Sequence, residues 1–513
     1  MTHTLLSRPA WRLACWLGLA LAVWAIALPA HAMDASVREA LADRDFGARS
    51  AAVGQIIDAS AAGDAEAQAL LRALAAGEIT EARLNNALRS RVSAAAAVLE
   101  LQDPDAATRS RAVDTLIGSP PPPALIPLVD GAVAREQDAG LQERMVLLSA
   151  LMGLSAQDPV ARAQAATRIG ETGNPRYRPR LLPLVDGAGA DPDANVRQAA
   201  DAALQKLDAA ERRARQAGTL FAGISLGSVL LLAALGLAIT YGLIGVINMA
   251  HGEFLMIGAY ATYVVQHLFR QYAPASFDWY LLAALPVSFA AAALVGVVLE
   301  RLVIRHLYGR PLETLLTTFG ISLLLMQTVR MFFGAQNVEV MNPSWMSGGL
   351  TVMPGLLLPW NRMIIIGFAV AVVLCAWLVL TRTRLGLFIR AVTQNRSMAA
   401  CAGVPTSRVD TQAFAFGAGI AGLGGCALTQ IGNVGPDLGQ AYIIDSFMVV
   451  VLGGVGQLAG AVIGAFGLGI ITKLIEPFWG AVLAKIAVLL LIILFIQKRP
   501  SGLFALKGRN AEA

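Results

Sequence analysis

Cysteine is scarce in this 513-residue chain, and its placement excludes several kinds of site. Only four cysteines occur. Cys15 lies in an N-terminal apolar stretch, and Cys375, Cys401 and Cys426 lie in the apolar C-terminal part. Residues 33–216 contain none, which excludes a disulfide framework there, and no Cys-x-x-Cys pair for a metal or redox centre exists.

Signatures of nucleotide binding and catalysis are also missing. The chain contains no Gly-Lys pair, so it has no Walker A motif and cannot bind ATP through a P-loop. None of the five histidines belongs to a His-Glu-x-x-His motif. We therefore predict no metal site, no cofactor and no enzymatic activity of its own.

Charge is depleted, and the depletion is uneven. Charged residues make up 15% of the chain, with 46 in residues 33–216 and 27 in residues 217–513. The first density is ordinary for a soluble domain, whereas the second suits a chain in lipid, where a buried charge is costly. The basic excess lies in short loops between apolar spans, so the pI of 9.2 reflects membrane topology rather than nucleic-acid binding.

The N-terminus has the pattern of an export signal. Arg8 and Arg12 precede an apolar core at residues 13–28, and Ala30-His31-Ala32 forms an Ala-x-Ala cleavage signal. We predict cleavage after Ala32, and an uncleaved signal anchor is the alternative. Both place residues 33–216 outside the cytoplasmic membrane, in the periplasm of a bacterium.

Residues 33–216 are rich in alanine and leucine at helical spacing and contain a degenerate internal repeat. Residues 103–109 recur as 191–197, and residues 127–132 recur as 183–188. Asp-Pro-Asp at the start of the first element is typical of a capped helix start. The pattern resembles HEAT-like helical repeats, which favours either protein docking or a stabilising appendage.

Residues 217–513 predict an all-α, polytopic permease domain of eight or nine transmembrane helices. Each span needs roughly 20 apolar residues. The predicted spans are 219–241, 249–269, 280–300, 314–333, 363–380, 409–431 and 481–496. Between the last two, residues 441–476 are too long for one span and are interrupted by Gly453, Gly454 and Gly456.

Basic residues orient these spans. Arginines cluster in residues 301–310 and 382–408, and lysines and arginines cluster in residues 498–509, so all three segments are expected in the cytoplasm. With residue 217 outside, the tail reaches the cytoplasm only if residues 441–476 cross twice or dip in and return. Either case predicts a helix break at the three glycines, and broken helices in transporters expose backbone dipoles to a cavity.

Two motifs that resemble catalytic signatures have a simpler interpretation. Residues 223–227 match Gly-x-Ser-x-Gly around Ser225, and residues 417–422 match Gly-x-Gly-x-x-Gly. Both lie inside apolar spans without the strand-to-helix turn that a nucleophile elbow or dinucleotide site needs. We predict that they are small-residue packing faces, as is the Gly-x-x-x-Gly of residues 460–464.

Polar residues inside the apolar part are the candidates for a substrate pathway, since intramembrane polar groups are usually functional. The structural alternatives are pairing with a neighbouring helix, helix capping and loop solvation. Glu313, Thr314, Thr317 and Thr318 open the fourth span, and Glu313 fits capping. The predicted pathway residues are Asn248, His251, Glu253, Thr317, Thr318, Asn433, Asp437, Gln440, Asp445 and Ser446.

The basic segment 382–409 has apolar residues on one helical face and ends in Gly403, Val404 and Pro405. Two interpretations fit. A positively charged amphipathic helix can anchor at the lipid surface. Alternatively, it can insert into a cleft of a partner and transmit motion.

Three blocks resemble the permeases of branched-chain amino acid ABC importers. They are residues 241–254, residues 385–392 with 401–405, and residues 450–456. The resemblance covers residues 217–510 and implies a second permease subunit, two cytoplasmic ATPase subunits and a periplasmic substrate-binding protein, in the bacterial inner membrane. It also implies an ATPase coupling loop. The coupling residues are Arg390, Asn395, Arg396, Ala400, Gly403, Val404 and Pro405.

Within that superfamily the chain is most similar to permease subunits of urea importers. Residues 432–440 followed by Asp445-Ser446-Phe447, the tail 499–509 and the long exported extension carry this resemblance. It implies urea as the substrate. The alternatives are a branched-chain amino acid or short-amide permease, an ATP-independent urea channel, and a membrane-anchored scaffold. An intramembrane protease built on Ser225 is the weakest.

Overall fold

A computed structural model describes residues 35–79, 84–187, 190–245, 248–500 and 502–504. The predicted signal peptide, 1–32, and the end of the basic tail lie outside the described residues. The chain divides into two compact units, Met1–Glu211 and Arg212–Ala513. The prediction of an all-α polytopic fold is confirmed, with one small β-hairpin that it did not include.

The first unit consists of short helices that pack on their neighbours in sequence. Most begin at an aspartate or asparagine whose side chain accepts a backbone N–H of the first turn, which satisfies an otherwise unpaired donor. The helices are α1 Ala35–Ala42, α2 Phe46–Ala61, α3 Ala65–Ala76, α4 Asn86–Glu100, α5 Ala106–Gly118, α6 Ile126–Arg135, α7 Ala139–Gly153, α8 Pro159–Glu171 and α9 Arg178–Val185. Short 3₁₀ helices precede α6 and α9.

The repeated Asp-Pro-Asp-x-x-x-Arg motif forms the same turn in both copies. Arg109 Nη1 donates to the carbonyls of Asp103 (2.9 Å) and Pro104 (3.0 Å). Arg197 Nη1 donates in the same way to the carbonyl of Asp191 (2.6 Å). The arginine therefore closes the turn that precedes its own helix, which explains its fixed spacing from the acids.

A third copy of this turn has Ala156-Gln157 in place of Asp-Pro, so the sequence repeat did not reveal it. Arg162 Nη1 donates to the carbonyls of Ala156 (2.9 Å) and Gln157 (2.8 Å). Its Nε donates to Asp191 Oδ2 at 2.6 Å, which links one turn to the next. Arg109 bonds Glu136 similarly, and these hydrogen bonds lower the pKa of the Glu136 carboxyl to about 2.

Replacing Arg162 with alanine is expected to make the first unit protease-sensitive at a lower temperature than wild type. The Asp191 side chain is only 5% exposed and would lose its ionic partner. Arg178→Ala is the matched control, because the Arg178–Asp208 pair is 44% and 36% exposed and such surface pairs stabilise little. Limited proteolysis of the full-length chain over a temperature series measures both. Equal shifts for the two variants would contradict the prediction.

The second unit contains the long apolar helices. Its first helix is the 51-residue α10, Ala194–Ile244, which begins before residue 212 and continues into the second unit. The others are α11 His251–Tyr272, α12 Tyr280–Leu302, α13 Pro311–Phe333, α14 Trp360–Arg382, α15 Arg384–Gln394, α16 Arg396–Cys401, α17 Thr406–Leu428, α18 Leu438–Gly453 and α19 Leu458–Lys498. Helices α11, α12 and α17 pack closely on one another at its centre.

Within the part of the chain that the structure describes, six helices are long and apolar enough to cross a membrane: α10, α12 with its preceding 3₁₀ turn, α13, α14, α17 and α19. Helix α18, with 16 residues, is apolar but shorter than a usual span, at about 24 Å. Helix α19 changes direction at Gly480, whose φ of 77° is left-handed. The predicted last span therefore lies in the part of α19 after this residue.

The predicted interruption of residues 441–476 is confirmed, since α18 ends at Gly453 and α19 begins at Leu458. The two helices then run antiparallel, because a Cβ at Gly464 would lie 2.9 Å from the carbonyl of Val449 and Gly453 lies against Gly460. The segment therefore turns back on itself, as the charge distribution requires.

The two catalytic-looking motifs are helix-packing faces, as predicted. A Cβ at Gly223 would lie 2.7 Å from Ile470 Cα, and one at Gly227 would lie 2.9 Å from Phe466 Cα. In the second motif, a Cβ at Gly422 would lie 2.6 Å from the carbonyl of Ser288. Backbones approach this closely only where side chains are absent.

The β-hairpin lies between α13 and α14. Strand β1 Gly349–Met353 pairs antiparallel with β2 Leu356–Pro359. The turn contains Pro354 and Gly355, and Gly355 has a φ of 85°, which is the combination a type II turn favours. The sequence did not predict this hairpin, because its strands are short apolar runs between two apolar helical spans.

Candidate functional site

Loops from three parts of the second unit meet at the end opposite the basic segment 382–409. Val338 and Val434 form a backbone bridge, which joins the loop after α13 to the loop after α17. Ser344 N donates to Asp278 Oδ1 at 2.8 Å, and Asn361 Nδ2 donates to the carbonyl of Gln430 at 3.0 Å. These contacts bring polar residues that are distant in sequence to one place.

A cavity of about 440 Å³, the polar cavity, opens beside these loops. It lies among α10, α14, the end of α17, the start of α18 and the middle of α19. Leucine, isoleucine and valine side chains form its apolar walls. Its polar lining consists of Ser225, Asn337, Arg362, Asn433, Asp437, Tyr442 and Lys473, and Gly435 contributes backbone.

The polar groups of this cavity differ in charge and hydrogen-bonding capacity. Arg362 Nη1 donates to Ser225 Oγ at 3.4 Å. Gly435 has no room for a side chain, because a Cβ there would lie 2.7 Å from Asp437 Oδ1 and closer still to Asn337 Oδ1. An amide and a carboxylate therefore converge on bare backbone, and the cavity offers both donors and acceptors to a small polar solute.

A second cavity of about 240 Å³, the side cavity, adjoins the polar cavity and shares Tyr442 and Lys473 with it. Two ion pairs line it. Lys485 Nζ lies 3.0 Å from Asp445 Oδ2, and Lys473 Nζ lies 2.6 Å from Glu476 Oε2. The predicted residue Asp445 is thus an ion-pair partner here.

Predicted residues of the second span form a separate buried polar cluster between α10, α11 and α13. Ser322 Oγ donates to Glu253 Oε1 at 2.7 Å, and His251 Nε2 donates to the carbonyl of Ala233 at 3.2 Å. Among the described residues, Glu253 Oε2, His251 Nδ1 and Asn248 Nδ2 have no hydrogen-bond partner. Unpaired buried polar groups cost free energy, so this cluster is a weak point of the helix packing or a place where a solute binds.

The other predicted pathway residues occupy varied positions. Thr318 Oγ1 accepts from Met249 N at 3.2 Å, which places it in the buried cluster. Thr317 is half-buried and Gln440 is exposed. Ser446 is buried and donates to the carbonyl of Tyr442 at 2.8 Å.

The three break glycines lie at close backbone contacts. Gly453 lies against Gly460, and a Cβ at Gly454 would clash with the backbone of Phe504. A Cβ at Gly242 would lie 2.8 Å from Gly456 Cα. In addition, Leu503 N donates to the carbonyl of Leu452 at 2.9 Å. The break therefore lies next to the C-terminal segment.

The predicted coupling loop forms α15 and α16. Asn395 caps α16 by accepting from Met398 N at 2.9 Å, and Gly403 has a left-handed φ of 83° that ends this turn. Ala400 and Pro405 are exposed, whereas Val404 packs into a small apolar cluster. Arg390 Nη1 donates to the carbonyl of Leu380.

Buried acids anchor this loop to the long helices. Arg396 forms an ion pair with Asp410, whose side chain is 1% exposed, and its guanidinium carbon lies 4.6 Å from the centre of the Tyr308 ring. Burial raises the pKa of the Tyr308 hydroxyl. In the neighbouring pair, Arg305 lies 3.2 Å from the fully buried carboxylate of Glu300.

Sequence reasoning missed several residues of these sites. Arg362 and Lys473 were visible as charges near or inside apolar helices, which is the signal that could have found them. Asn337 carried no such signal because it lies in a loop. Asp410 and Glu300 stand at helix ends, where acids are common.

Comparison with known proteins agrees with the helical architecture. Residues 219–497 match the family model described as "Branched-chain amino acid transport system / permease component". The branched-chain amino acid permease protein LivH of Escherichia coli K12 is 30% identical over 290 residues, which are 55% of this chain and 94% of LivH. BraD of Pseudomonas aeruginosa is 29% identical over 287 residues, 55% of this chain and 93% of BraD.

A partial match extends to a sugar transporter. The fructose import permease protein FrcC of Rhizobium meliloti is 32% identical over 146 residues, 26% of this chain and 41% of FrcC. No solved structure matches. The similar proteins are transporter subunits rather than enzymes, and this chain belongs to the branched-chain amino acid permease family of ABC transport systems.

Proposed function

We propose that this chain is the urea-translocating permease of an ATP-driven importer in a bacterial inner membrane. Its partners are a second permease subunit, two cytoplasmic ATPase subunits and a periplasmic substrate-binding protein. The predicted export signal places residues 33–216 in the periplasm, where they are available to dock the binding protein. Since the chain has no P-loop, the partner ATPases supply the energy.

One observation supports urea in particular. Residues 432–440, which resemble urea permeases, supply Asn433, Gly435 and Asp437 to the polar cavity. Urea is small, planar and neutral, with two amino groups and one carbonyl. The amides of Asn433 and Asn337 offer the donors and acceptors that such a molecule needs.

The coupling loop supports an ATP-driven cycle. Closure of the ATPases would move α15 and α16, and the Arg396–Asp410 pair would pass this motion to α17. Helix α17 packs on α11 and α12, and its end lines the polar cavity. Access to the cavity would then alternate between the two sides of the membrane.

A branched-chain amino acid is the second candidate substrate, on a specific observation. The polar cavity contains Arg362, Lys473 and Asp437, so it offers cations for a carboxylate and an acid for an ammonium group. The similar proteins LivH and BraD are named as permeases of branched-chain amino acid transport systems.

Uptake of labelled urea and labelled leucine by nitrogen-starved cells, with and without this gene, tests the proposal. Loss of urea uptake alone supports urea. Loss of leucine uptake alone would support the permease function and its coupling to the ATPases, with a branched-chain amino acid as the substrate instead of urea. Unchanged uptake of both would contradict the proposed transport function.

Arg362→Gln is expected to keep urea uptake within about threefold of wild type, because glutamine retains a donor for a carbonyl and a neutral solute needs no charge. An amino acid carboxylate would lose a charge-assisted bond, so leucine uptake would fall about tenfold or more. Initial uptake rates at low substrate measure both. The control is Arg382→Gln, which makes the same change at an exposed position at the opposite end of α14.

A further inference from the structure

Helix α13 presents one continuous exposed face along its whole length. The residues of this face, the α13 seam, follow the three-four spacing of a helix-packing seam. Gly320 lies in the middle, and a Cβ there would meet nothing within 4 Å. The seam consists of Glu313, Leu316, Gly320, Leu323, Gln327 and Arg330, all exposed.

The polarity of the seam does not suit lipid. Among the described residues, Gln327 and Arg330 have no side-chain hydrogen-bond or ion-pair partner. Arg330, in the last turn, is long enough to reach the membrane interface, but the shorter Gln327 lies about one turn deeper. By contrast, the exposed residues Ile486, Leu490 and Leu494 of α19 are apolar, as expected for a face that contacts acyl chains.

We propose that the α13 seam binds a transmembrane helix of a second permease chain that differs from this one. A bare glycine on a helix face lets a partner backbone approach closely, and Gln327 then finds an acceptor in the partner rather than in lipid. This inference rests on the two-permease importer proposed above and names the surface through which the permeases join.

Charge argues against a second copy of this chain at the seam. If two copies were related by a two-fold axis along the membrane normal, Arg330 of one copy would lie at the same depth as Arg330 of the other. The two Glu313 side chains would also lie at one depth. Like charges that face each other across an interface repel and disfavour the wrong partner. Glu313 is already paired with Arg310 at 3.1 Å, whereas Arg330 requires an acceptor from the partner helix.

Photo-crosslinking in membranes of cells that express the complete transport system tests this proposal. A photoreactive residue replaces Leu323 in the seam, and in the control it replaces Leu490, which is 55% exposed on α19. The expected result is an adduct from position 323 with a different polytopic membrane protein, identified as a permease by mass spectrometry, and none from position 490. An adduct of two copies of this chain, equal labelling from both positions, or no protein adduct would each overturn the proposal.

A bulky substitution gives an independent measurement. Gly320→Trp is expected to lower the amount of second permease that co-purifies with the tagged chain about tenfold, because it blocks close approach of the helices. Leu490→Trp should leave co-purification unchanged. Both positions are exposed, so both variants should still insert, and unchanged recovery with Gly320→Trp would contradict the seam.

These results separate the two proposals. The adduct and the co-purification report assembly and do not depend on the substrate. A wrong substrate would therefore change the uptake measurements and leave the adduct in place. Purified transporter without any second permease would instead refute the two-permease importer itself.

Discussion

Gly425→Ala is expected to abolish accumulation of the folded permease and, with it, substrate uptake. A Cβ at Gly425 would lie 2.9 Å from Ala259 N and closer still to the carbonyl oxygen of Leu255. The obstacle is the backbone of α11 rather than the movable end of a side chain. Helices α11 and α17 would have to separate, and both are buried at the centre of the second unit.

The effect should exceed that of ordinary overpacking, which costs about 1–3 kcal/mol. A second glycine pair holds the same two helices together, since a Cβ at Gly258 would lie 2.5 Å from Gly422 Cα. Separation at Gly425 would therefore loosen this contact as well. Lost dispersion contacts and exposed backbone along the interface would add to the cost.

The control is Gly367→Ala on α14, where a Cβ would meet nothing within 4 Å. Both variants carry the same chemical change inside a membrane helix. The amount of monodisperse protein extracted from membranes, together with the initial uptake rate, measures the difference. Wild-type levels and uptake for Gly425→Ala would show that α11 and α17 pack differently.

Arg396→Ala is expected to lower substrate uptake by about tenfold or more while the ATPase subunits still hydrolyse ATP. The side chain of Asp410 is 1% exposed, so it would be left as an uncompensated buried carboxylate. Breaking a fully buried pair costs about 3–5 kcal/mol, and here we expect about 2–3 because the Arg396 side chain is 44% exposed. The loop would detach from α17 and lose its coupling.

A second substitution makes this prediction specific. Arg396→Ala with Asp410→Ala removes the buried charge and should restore much of the protein level, but not the coupling. Arg408 is an exposed arginine of the same segment, and Arg408→Ala should leave the protein level and the coupling unchanged. The readouts are protein level, uptake, and substrate-stimulated ATP hydrolysis by the reconstituted complex. Uptake near the wild-type rate in Arg396→Ala would refute an anchoring role for this pair.

Apolar runs and basic loops were enough to predict the long helices of the second unit. Residues 363–380 of α14 and 280–300 of α12 were found within a few residues of their observed ends. The interruption at Gly453 was also predictable, because a helix cannot continue through Gly453-Gly454 followed by another glycine at 456 without cost. The packing role of Gly223 and Gly227 followed from their position inside an apolar run.

The polar cavity could be predicted only in part. Asn433 and Asp437 were found because they are polar residues beside an apolar run. Arg362 and Lys473 were not assigned to it, because local sequence patterns do not indicate that residues more than 100 positions apart line the same cavity. The same limit hid Asp410, whose partner Arg396 was identified while the acid that holds it was not.

The sequence by itself determined that the chain has a charged helical unit and an apolar multi-span unit, because hydropathy and charge density are properties of local segments. The tertiary structure alone decided which glycines face backbone, which acids are buried and which face of α13 stays open. Those properties depend on how helices distant in sequence are placed, and helical spacing constrains only the faces of a single helix.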